Sequence, residues 1–213
     1  MSKNHAEFRI FVEGGTKGRL ADACRRGFGH FFEKAGLGQR KPRIVSCGTR
    51  RAAYEDFCHA LARADKKDIY LLLVDSETEV TVTKEQVWTH VKARQGDGWD
   101  QPVGADADML HFMVECMENW FLADTHALMK YFGQGFRVDV LPKNQNVENV
   151  AKAEAYAALE AATAKCKTKR PYAKGEHSFS LLERIDPTKV EEAGEYAKRV
   201  IDKVIACSNL FTR

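Results

Sequence analysis

Carboxylate side chains directly follow three apolar segments of the sequence, at the point where each segment ends. The acids, with the segments that precede them, are Glu13 after 8–12, Asp75 and Glu77 after 69–74, and Glu115 and Glu118 after 109–114. If the segments are parallel strands of one sheet, their carboxyl ends meet at one edge, which is where α/β proteins bind ligands. Carboxylate oxygens are ligands that Mg²⁺ and Mn²⁺ prefer. The arrangement therefore predicts a divalent-cation site at this edge of the sheet.

A solvated loop position is the alternative explanation for each acid taken alone, because loops lie on the surface and carry charged residues. In that alternative, Glu13 and Asp75 hold the turns that follow them, Glu118 pairs with a lysine one turn away, and Lys174 is solvated. The repetition of the pattern at three segments favours the shared site.

The segments around these acids alternate between strand and helix patterns. The run 69–74 consists of apolar or aromatic residues only, which is typical of a strand buried on both faces of a parallel sheet. With strands at 8–12 and 42–47 and helices at 19–34 and 50–64, it forms a β-α-β-α-β series, for which right-handed crossovers are expected. The predicted fold class is α/β, with a mostly parallel sheet of about four strands flanked by helices.

The rest of the chain has helix patterns. A helix pattern follows residue 115, and others lie at 84–94, 147–165 and 178–184. Asp186 and Pro187 are typical of the start of a last helix, because proline is favoured in the first turn. We therefore expect an α/β core over residues 1–132 and a helical C-terminal extension over 133–213 that packs on this core.

Basic residues are clustered along the chain. The 213 residues include 33 basic and 30 acidic side chains, and this formal net charge of +3 does not by itself indicate a nucleic-acid partner. Clusters of basic residues neutralise phosphates, although a solvated basic face is the more common explanation of any one cluster. On the basis of these clusters we predict nucleic-acid binding by Lys17, Arg19, Arg50, Arg51, Lys169, Arg170 and His177.

Cysteine usage and hydropathy limit the classes of protein to consider. The six cysteines include no Cys-x-x-Cys pair, so that neither a zinc knuckle nor a secreted disulfide framework is indicated. No run approaches the ~20 apolar residues that span a bilayer, and the first residues lack an apolar signal core. We therefore expect a cytoplasmic protein with reduced cysteines and no membrane association.

Four short motifs, taken in order, resemble one protein family. They are Val12-Glu13-Gly14, Val74-Asp75-Ser76-Glu77, the run 116–124, and Tyr172-Ala173-Lys174. A strand that ends in Val-Glu-Gly, a later strand that ends in Asp-x-Asp or a variant, and further acids downstream are similar to a Toprim domain. The chain resembles in particular the small RloB-like and related Toprim-like proteins, which are similar to the nuclease half of OLD-family enzymes. This resemblance covers nearly the whole chain and implies a Toprim-like, Rossmann-like sheet.

The resemblance implies cleavage of phosphodiester bonds with Mg²⁺ or Mn²⁺ and without an organic cofactor. By position, Glu13 matches a glutamate that binds metal or works as general acid or base. Asp75 and Glu77 match the metal-binding pair of the family. Glu118 is the expected third metal ligand, with Glu115 as its substitute.

The resemblance also implies a catalytic lysine and a partner protein. Lys174 resembles a late lysine that stabilises the charged transition state of phosphoryl transfer. Relatives of this kind often occur beside an ABC-type ATPase in bacterial anti-phage defence, so that the chain is expected to be the effector subunit of such a system. The substrate is left open between DNA, RNA and tRNA, and a homodimer is left open as well.

Two residues depart from the family pattern. Glu77 is one methylene longer than the usual aspartate, and Lys17 stands where many relatives carry an acid. These departures leave open a catalytically inactive Toprim-like subunit that binds or regulates an ATPase complex. A phosphatase-like or nucleotide-binding enzyme is a third alternative, although no base-recognition pocket is indicated.

Overall fold

The chain, represented by a computed structural model, is described over residues 6–15, 17–38 and 41–210. The strands are β1 (Phe8–Val12), β2 (Arg43–Ser46), β3 (Ile69–Asp75) and β4 (Leu110–Met113). The helices are α1 (Gly18–Lys34), α2 (Arg50–Leu61), α3 (Val87–Ala93), α4 (Met117–Ala123), α5 (Thr125–Phe132), α6 (Lys152–Thr163), α7 (Ser178–Leu182), α8 (Pro187–Glu192) and α9 (Glu195–Asn209). Short 3₁₀ turns lie at Ala107–Met109, Val138–Val140 and Val147–Asn149. Within the described ranges, no helix has both the length and the apolar character needed to cross a membrane.

The four strands form one parallel sheet in the order β2-β1-β3-β4. In the register of this sheet, Val12 pairs with Ser46 on one side and with Leu73 on the other, and Asp75 pairs with Met113. The carboxyl ends of the strands therefore lie at one edge. This arrangement confirms the predicted fold class of a parallel α/β sheet of four strands flanked by helices.

Alternate residues of β3 are buried on opposite faces of the sheet, which explains its continuous apolar sequence. Leu71 and Leu73 belong to the core formed with α1 and the C-terminal helices, whereas Leu72 and Val74 belong to the core formed with α2 and α3. Full burial of one such side chain contributes about 1.5–3 kcal/mol to folding. Because β3 is packed from both faces, the position of Asp75 at its end is well determined.

The C-terminal helices share one hydrophobic core with the first helix. Phe28 of α1 and Val200 and Val204 of α9 belong to the same cluster of buried residues. The alanine-rich helix differs from the prediction, because it begins at Lys152 and not near residue 147. The intervening residues form the 3₁₀ turn Val147–Asn149, so that the helical hydrogen bonds start later than the apolar pattern suggests.

The last predicted helix is divided into two. It begins at Pro187 as expected, but α8 ends before Gly194 and α9 begins after it. The carboxylate of Glu148 accepts the backbone N–H groups of Tyr196 and Ala197, each at 2.9 Å. These bonds satisfy two of the N–H groups that the first turn of a helix leaves unpaired. A distant residue therefore determines where α9 starts.

Two glycines of α1 test how this helix packs on α7. A Cβ atom on Gly27 would lie 2.8 Å from the carbonyl oxygen of Phe179, whereas one on Gly29 would have no described neighbour within 4 Å. We expect Gly27→Ala to lower the free energy of unfolding by about 1–3 kcal/mol, because the two helices must separate. Gly29→Ala should raise it by about 0.5–1 kcal/mol through helix propensity. Chemical denaturation measures both values, and equal effects would contradict the close packing of α1 on α7.

Candidate metal centre

A pocket of about 240 Å³ lies at the carboxyl edge of the sheet. This carboxylate pocket is lined by Glu13 after β1, by Asp75 and Glu77 at and beyond the end of β3, and by Lys174 and Phe179 of the C-terminal extension. One carboxylate oxygen of each of the three acids lies within 4.8 Å of the others. Three such oxygens match the ligands of a hard divalent cation. The structure thus brings together three of the five acids singled out in the sequence.

Glu13 reaches the pocket because the chain turns sharply after β1. Gly14 has a φ of 105°, a conformation that favours glycine. Its N–H donates to the carbonyl of Gly48 at 2.7 Å, and the N–H of Gly48 donates back at 3.1 Å. A Cβ atom on Gly14 would lie 2.9 Å from the ring of Phe179. Glycine at this position therefore lets the aromatic ring form one wall of the pocket.

Asp75 is the most buried of the three acids, with 2% of its surface exposed. Its Oδ1 accepts the N–H of Met117 at 2.9 Å, and its own N–H donates to Oε1 of Glu13 at 2.9 Å. Burial, together with the negative charges of Glu13 and Glu118, raises the pKa of Asp75 well above its usual value, although two lysines oppose the rise. The carboxylate is thus held where its ionised form needs a neighbouring cation.

Glu77 has a backbone conformation that residues other than glycine rarely adopt. Its φ is 71°, in the left-handed region, and its N–H donates to the carbonyl of Glu115 at 2.8 Å. Such conformations cost about 1–3 kcal/mol and are concentrated at functional sites. The strained turn directs the side chain of Glu77 to the carboxylate pocket.

Two lysines approach the acids, and only Lys174 was identified from the sequence. Its Nζ lies 3.7 Å from Oδ2 of Asp75. Nζ of Lys152, at the start of α6, lies 2.7 Å from Oε2 of Glu77 and 3.7 Å from Oδ2 of Asp75. Burial acts to raise the pKa of Glu77, but the hydrogen bond and charge of Lys152 outweigh it and lower that pKa. Sequence reasoning missed Lys152 because it belongs to none of the motifs, and only the folded chain brings it to Glu77, 75 positions away.

The two other predicted metal ligands lie outside the group of three acids. Glu118 is fully buried, and its Oε1 accepts hydrogen bonds from the Tyr172 hydroxyl at 2.6 Å and from Oγ of Ser178 at 3.4 Å. Its Oε2 has no hydrogen-bond partner among the described residues. The carboxylate of Glu115 accepts the backbone N–H of Lys152 at 2.7 Å and so supports the start of α6. Tyr172 and Ser178 of the C-terminal extension therefore cover the carboxylate that was predicted to be the third metal ligand.

The two arginines at the start of α2 have different surroundings. Arg50 donates to the buried carboxylate of Asp97 at 2.7 Å and to the carbonyl oxygen of Asp75. It therefore connects the loop that holds Asp97 to the end of β3. Arg51 is exposed and pairs with Glu55 one turn later at 2.7 Å. Nucleic-acid binding by either arginine stays a prediction.

The remaining basic residues singled out in the sequence are divided between surface and interior. Lys17 and Arg19 are exposed at the start of α1, and Arg170 is exposed in the loop between α6 and α7, where Lys169 is half-buried. His177 is 3% exposed and packs among aromatic rings, while its Nδ1 accepts a backbone N–H at 3.1 Å. Burial lowers the pKa of His177. This placement differs from the expected phosphate contact, which requires a side chain at the surface.

A protein-family model matches most of the chain. The family is described as "Domain of unknown function (DUF4276)", and the match covers residues 12–205. This range contains all members of the carboxylate pocket and also Lys152. No curated protein and no solved structure gives a significant match.

Proposed function

The chain belongs to the DUF4276 family, and we propose that the protein is a nuclease that cleaves phosphodiester bonds with Mg²⁺ or Mn²⁺. One observation carries this proposal. Oxygens of Glu13, Asp75 and Glu77 lie within 4.8 Å of one another, and the ammonium group of Lys174 lies 3.7 Å from Asp75. A group of acids beside a cation suits phosphoryl transfer, in which a metal and a positive side chain both stabilise developing negative charge.

The metal would be held by Glu13, Asp75 and Glu77, whose carboxylate oxygens are the hard donors that Mg²⁺ and Mn²⁺ prefer. The raised pKa of Asp75 supports this assignment, because a divalent cation would stabilise the ionised form that burial and Glu13 disfavour. When bound, such a cation polarises phosphate oxygens and lowers the pKa of a coordinated water.

The chain's own residues position the phosphate and accept a proton. Lys174 is placed to stabilise the negative charge that a phosphate gains in the transition state. Burial acts to lower the pKa of Lys174, but the charges of Asp75 and Glu118 raise it overall, so that the side chain stays protonated. Glu13, oriented by the N–H of Asp75, can accept a proton from the attacking water. Phe179 excludes water from one wall.

We extend the proposal to a Toprim-like fold family with RloB-like and OLD-type relatives. The parallel sheet with acids after β1 and β3 supports this extension. On this basis the partners are DNA or RNA and an ABC-type ATPase, and the setting is bacterial anti-phage defence in the cytoplasm. The resemblance of the sequence motifs supports the ATPase and the setting, whereas the geometry of the three acids supports the proposed metal.

Lys152→Met tests whether the lysine competes with a metal for the same carboxylates. The substitution removes the charge that lies 2.7 Å from Glu77 and 3.7 Å from Asp75. We expect the affinity for Mn²⁺ to rise about tenfold, because the ammonium group no longer competes. The Tm in EDTA should fall, because buried acids lose their counter-charge. Calorimetric titration and thermal unfolding measure these changes.

The control for this variant is Lys198→Met. Lys198 lies on α9 and pairs with Glu191 and Asp202 at a distance from the carboxylate pocket. The substitution Lys198→Met should therefore leave the affinity for Mn²⁺ unchanged. Wild-type affinity for Mn²⁺ in Lys152→Met would show that the lysine and the metal do not share these acids.

The proposed function is tested by incubation of the purified protein with labelled DNA and RNA, single-stranded and double-stranded, in Mn²⁺, Mg²⁺ or EDTA. We expect cleavage that requires the metal, either alone or with an ABC-type ATPase added. The competing function is a catalytically inactive binding or regulatory subunit. No cleavage under any of these conditions, together with full biological activity of Asp75→Ala, would favour that alternative.

A further inference from the structure

A second pocket, with a basic lining, lies between α5 and the C-terminal extension. This Tyr131 pocket has a volume of about 370 Å³ and is lined by Ala127, Lys130, Tyr131, Lys169 and Arg184. Three of its five lining residues are cations, and none of the described lining residues is an acid. A concave surface of one charge concentrates ligands of the opposite charge. The Tyr131 pocket is therefore suited to an anion.

The ring of Tyr131 combines a determined orientation with nearby cations. Nζ of Lys169 lies 4.6 Å and Cζ of Arg184 lies 5.2 Å from the ring centroid. The rings of Phe132 and His177 stand nearly perpendicular to it, at interplanar angles of 88° and 80°. Lys169 forms no ion pair with any described residue. The pocket thus offers an oriented aromatic ring and, over that ring, a lysine whose charge no described acid neutralises.

The acid nearest to these cations is already paired elsewhere. Glu183 lies 4.0 Å from Nη1 of Arg184, but its carboxylate also pairs with His30 at 2.9 Å and with Arg26 at 3.3 Å. An ion pair of 4.0 Å at a half-exposed arginine is weak. The positive charge of the Tyr131 pocket is therefore only partly neutralised by this acid.

One loop supplies cations to both pockets. The loop between α6 and α7 carries Lys169 at the Tyr131 pocket and Lys174 at the carboxylate pocket. The ring of His177 packs against the ring of Tyr131, with 6.1 Å between centroids, and against that of Tyr172, with 6.0 Å between centroids. The buried histidine thus links the positions of the two pockets through side-chain packing.

We propose that the Tyr131 pocket binds one nucleotide of a single-stranded nucleic acid, away from the phosphate that is cleaved. The base stacks on Tyr131, and Lys130, Lys169 and Arg184 neutralise the adjacent phosphates. Cations alone would attract an acidic protein segment equally well, but an oriented ring among them favours a ligand in which flat bases alternate with charges. The inference rests on the proposed function for its ligand class and adds the single-stranded form and the binding site.

The experiment is fluorescence anisotropy with labelled oligo(dT) and oligo(rU) of about 15 nucleotides in EDTA, where no cleavage occurs. Tyr131→Ala should weaken binding about tenfold or more, whereas Tyr131→Phe, which keeps the ring, should bind like wild type. Lys169→Ala should weaken binding and reduce its salt dependence. The matched control is Lys67→Ala, an exposed lysine that precedes β3 at the opposite edge of the sheet.

Three outcomes would overturn the inference. The first is that Tyr131→Ala and Lys169→Ala both bind the oligonucleotides with the affinity of the wild type. The second is that the wild type binds duplex and single-stranded oligonucleotides with equal affinity and that Tyr131→Ala does the same. The third is competition by polyglutamate as effective as that by an oligonucleotide of equal charge, which would assign the surface to an acidic protein.

The failure of this inference is distinguishable from the failure of the proposed function. Because binding is measured in EDTA, its outcome depends neither on a bound metal nor on cleavage. Binding that depends on Tyr131 in a protein that never cleaves nucleic acid would support the inference and refute the nuclease. Cleavage by Tyr131→Ala with the KM of wild type would support the nuclease and overturn the inference.

Discussion

Asp75→Asn is expected to lower metal-dependent cleavage by about 10³-fold or more, which corresponds to ~4 kcal/mol of transition-state stabilisation. The substitution keeps the Oδ1 atom that accepts the N–H of Met117, and it therefore preserves the start of α4. It removes the negative charge between Glu13 and Glu77, on which the proposed metal binding depends. Single-turnover cleavage of a labelled oligonucleotide in Mn²⁺ measures the effect.

The same substitution is expected to stabilise the protein in EDTA at neutral pH. The pKa of Asp75 is raised by burial and by the charge of Glu13, so that the folded protein binds this proton more tightly than the unfolded chain. The stability of the wild type therefore falls as the pH rises above the usual value of 3.8, whereas asparagine cannot ionise. We expect the Tm of Asp75→Asn to exceed that of the wild type by a margin that widens as the pH rises above about 4.

The control for both effects is Asp22→Asn. Asp22 is exposed on α1, where it pairs with Arg25 at 2.6 Å. Its substitution should affect neither cleavage nor the pH dependence of the Tm. If Asp75→Asn cleaved nucleic acid at the wild-type rate, the strand-end acids would have no role in catalysis. If its Tm in EDTA were lower than that of the wild type at every pH, Asp75 would be stabilising as an anion, against the raised pKa.

Lys174→Met is expected to lower the rate of cleavage about 10²-fold without weakening Mn²⁺ binding. Nζ of Lys174 lies 3.7 Å from Asp75, so that its removal takes away a positive charge that repels the metal. The same substitution removes the group that is proposed to stabilise the phosphate. Methionine keeps the length and apolar contacts of the side chain. Single-turnover rates and calorimetric titration with Mn²⁺ together separate the two effects.

Two further variants show whether this effect belongs to the charge at that position. Lys174→Arg should recover part of the rate, because it restores a positive charge with different geometry. Lys165→Met removes an exposed lysine from the start of the same loop between α6 and α7 and should leave the rate unchanged. A parallel loss of Mn²⁺ affinity and rate in Lys174→Met would indicate a damaged metal site and would contradict a direct role at the phosphate.

The sheet and the three central acids could be predicted because their signals are local. The apolar run that ends in Asp75 is explained by burial of β3 on both faces of the sheet. Glu13 and Glu77 follow because the acids after parallel strands meet at one edge. The Pro187 start of α8 is also local, since it depends on the adjacent Asp186, whose side chain accepts the N–H of Thr188.

The features that could not be predicted depend on contacts between distant parts of the chain. Lys152 opens an alanine-rich helix, and only the folded chain places it against Glu77. Glu118 was expected to be a metal ligand, but Tyr172, 54 positions away, covers it and donates to its carboxylate. His177 belongs to a basic loop by sequence, whereas the surrounding rings bury it. Helical spacing describes the sides of a helix but not the partner that covers each side.

The central claim is that Glu13, Asp75 and Glu77 bind a divalent cation. Isothermal titration of Mn²⁺ into the wild type, Glu13→Gln, Asp75→Asn and Asp22→Asn tests it most directly. We predict saturable binding to the wild type and to Asp22→Asn and its loss in the two pocket variants. Absence of binding to the wild type, or equal binding by all four proteins, would contradict the claim.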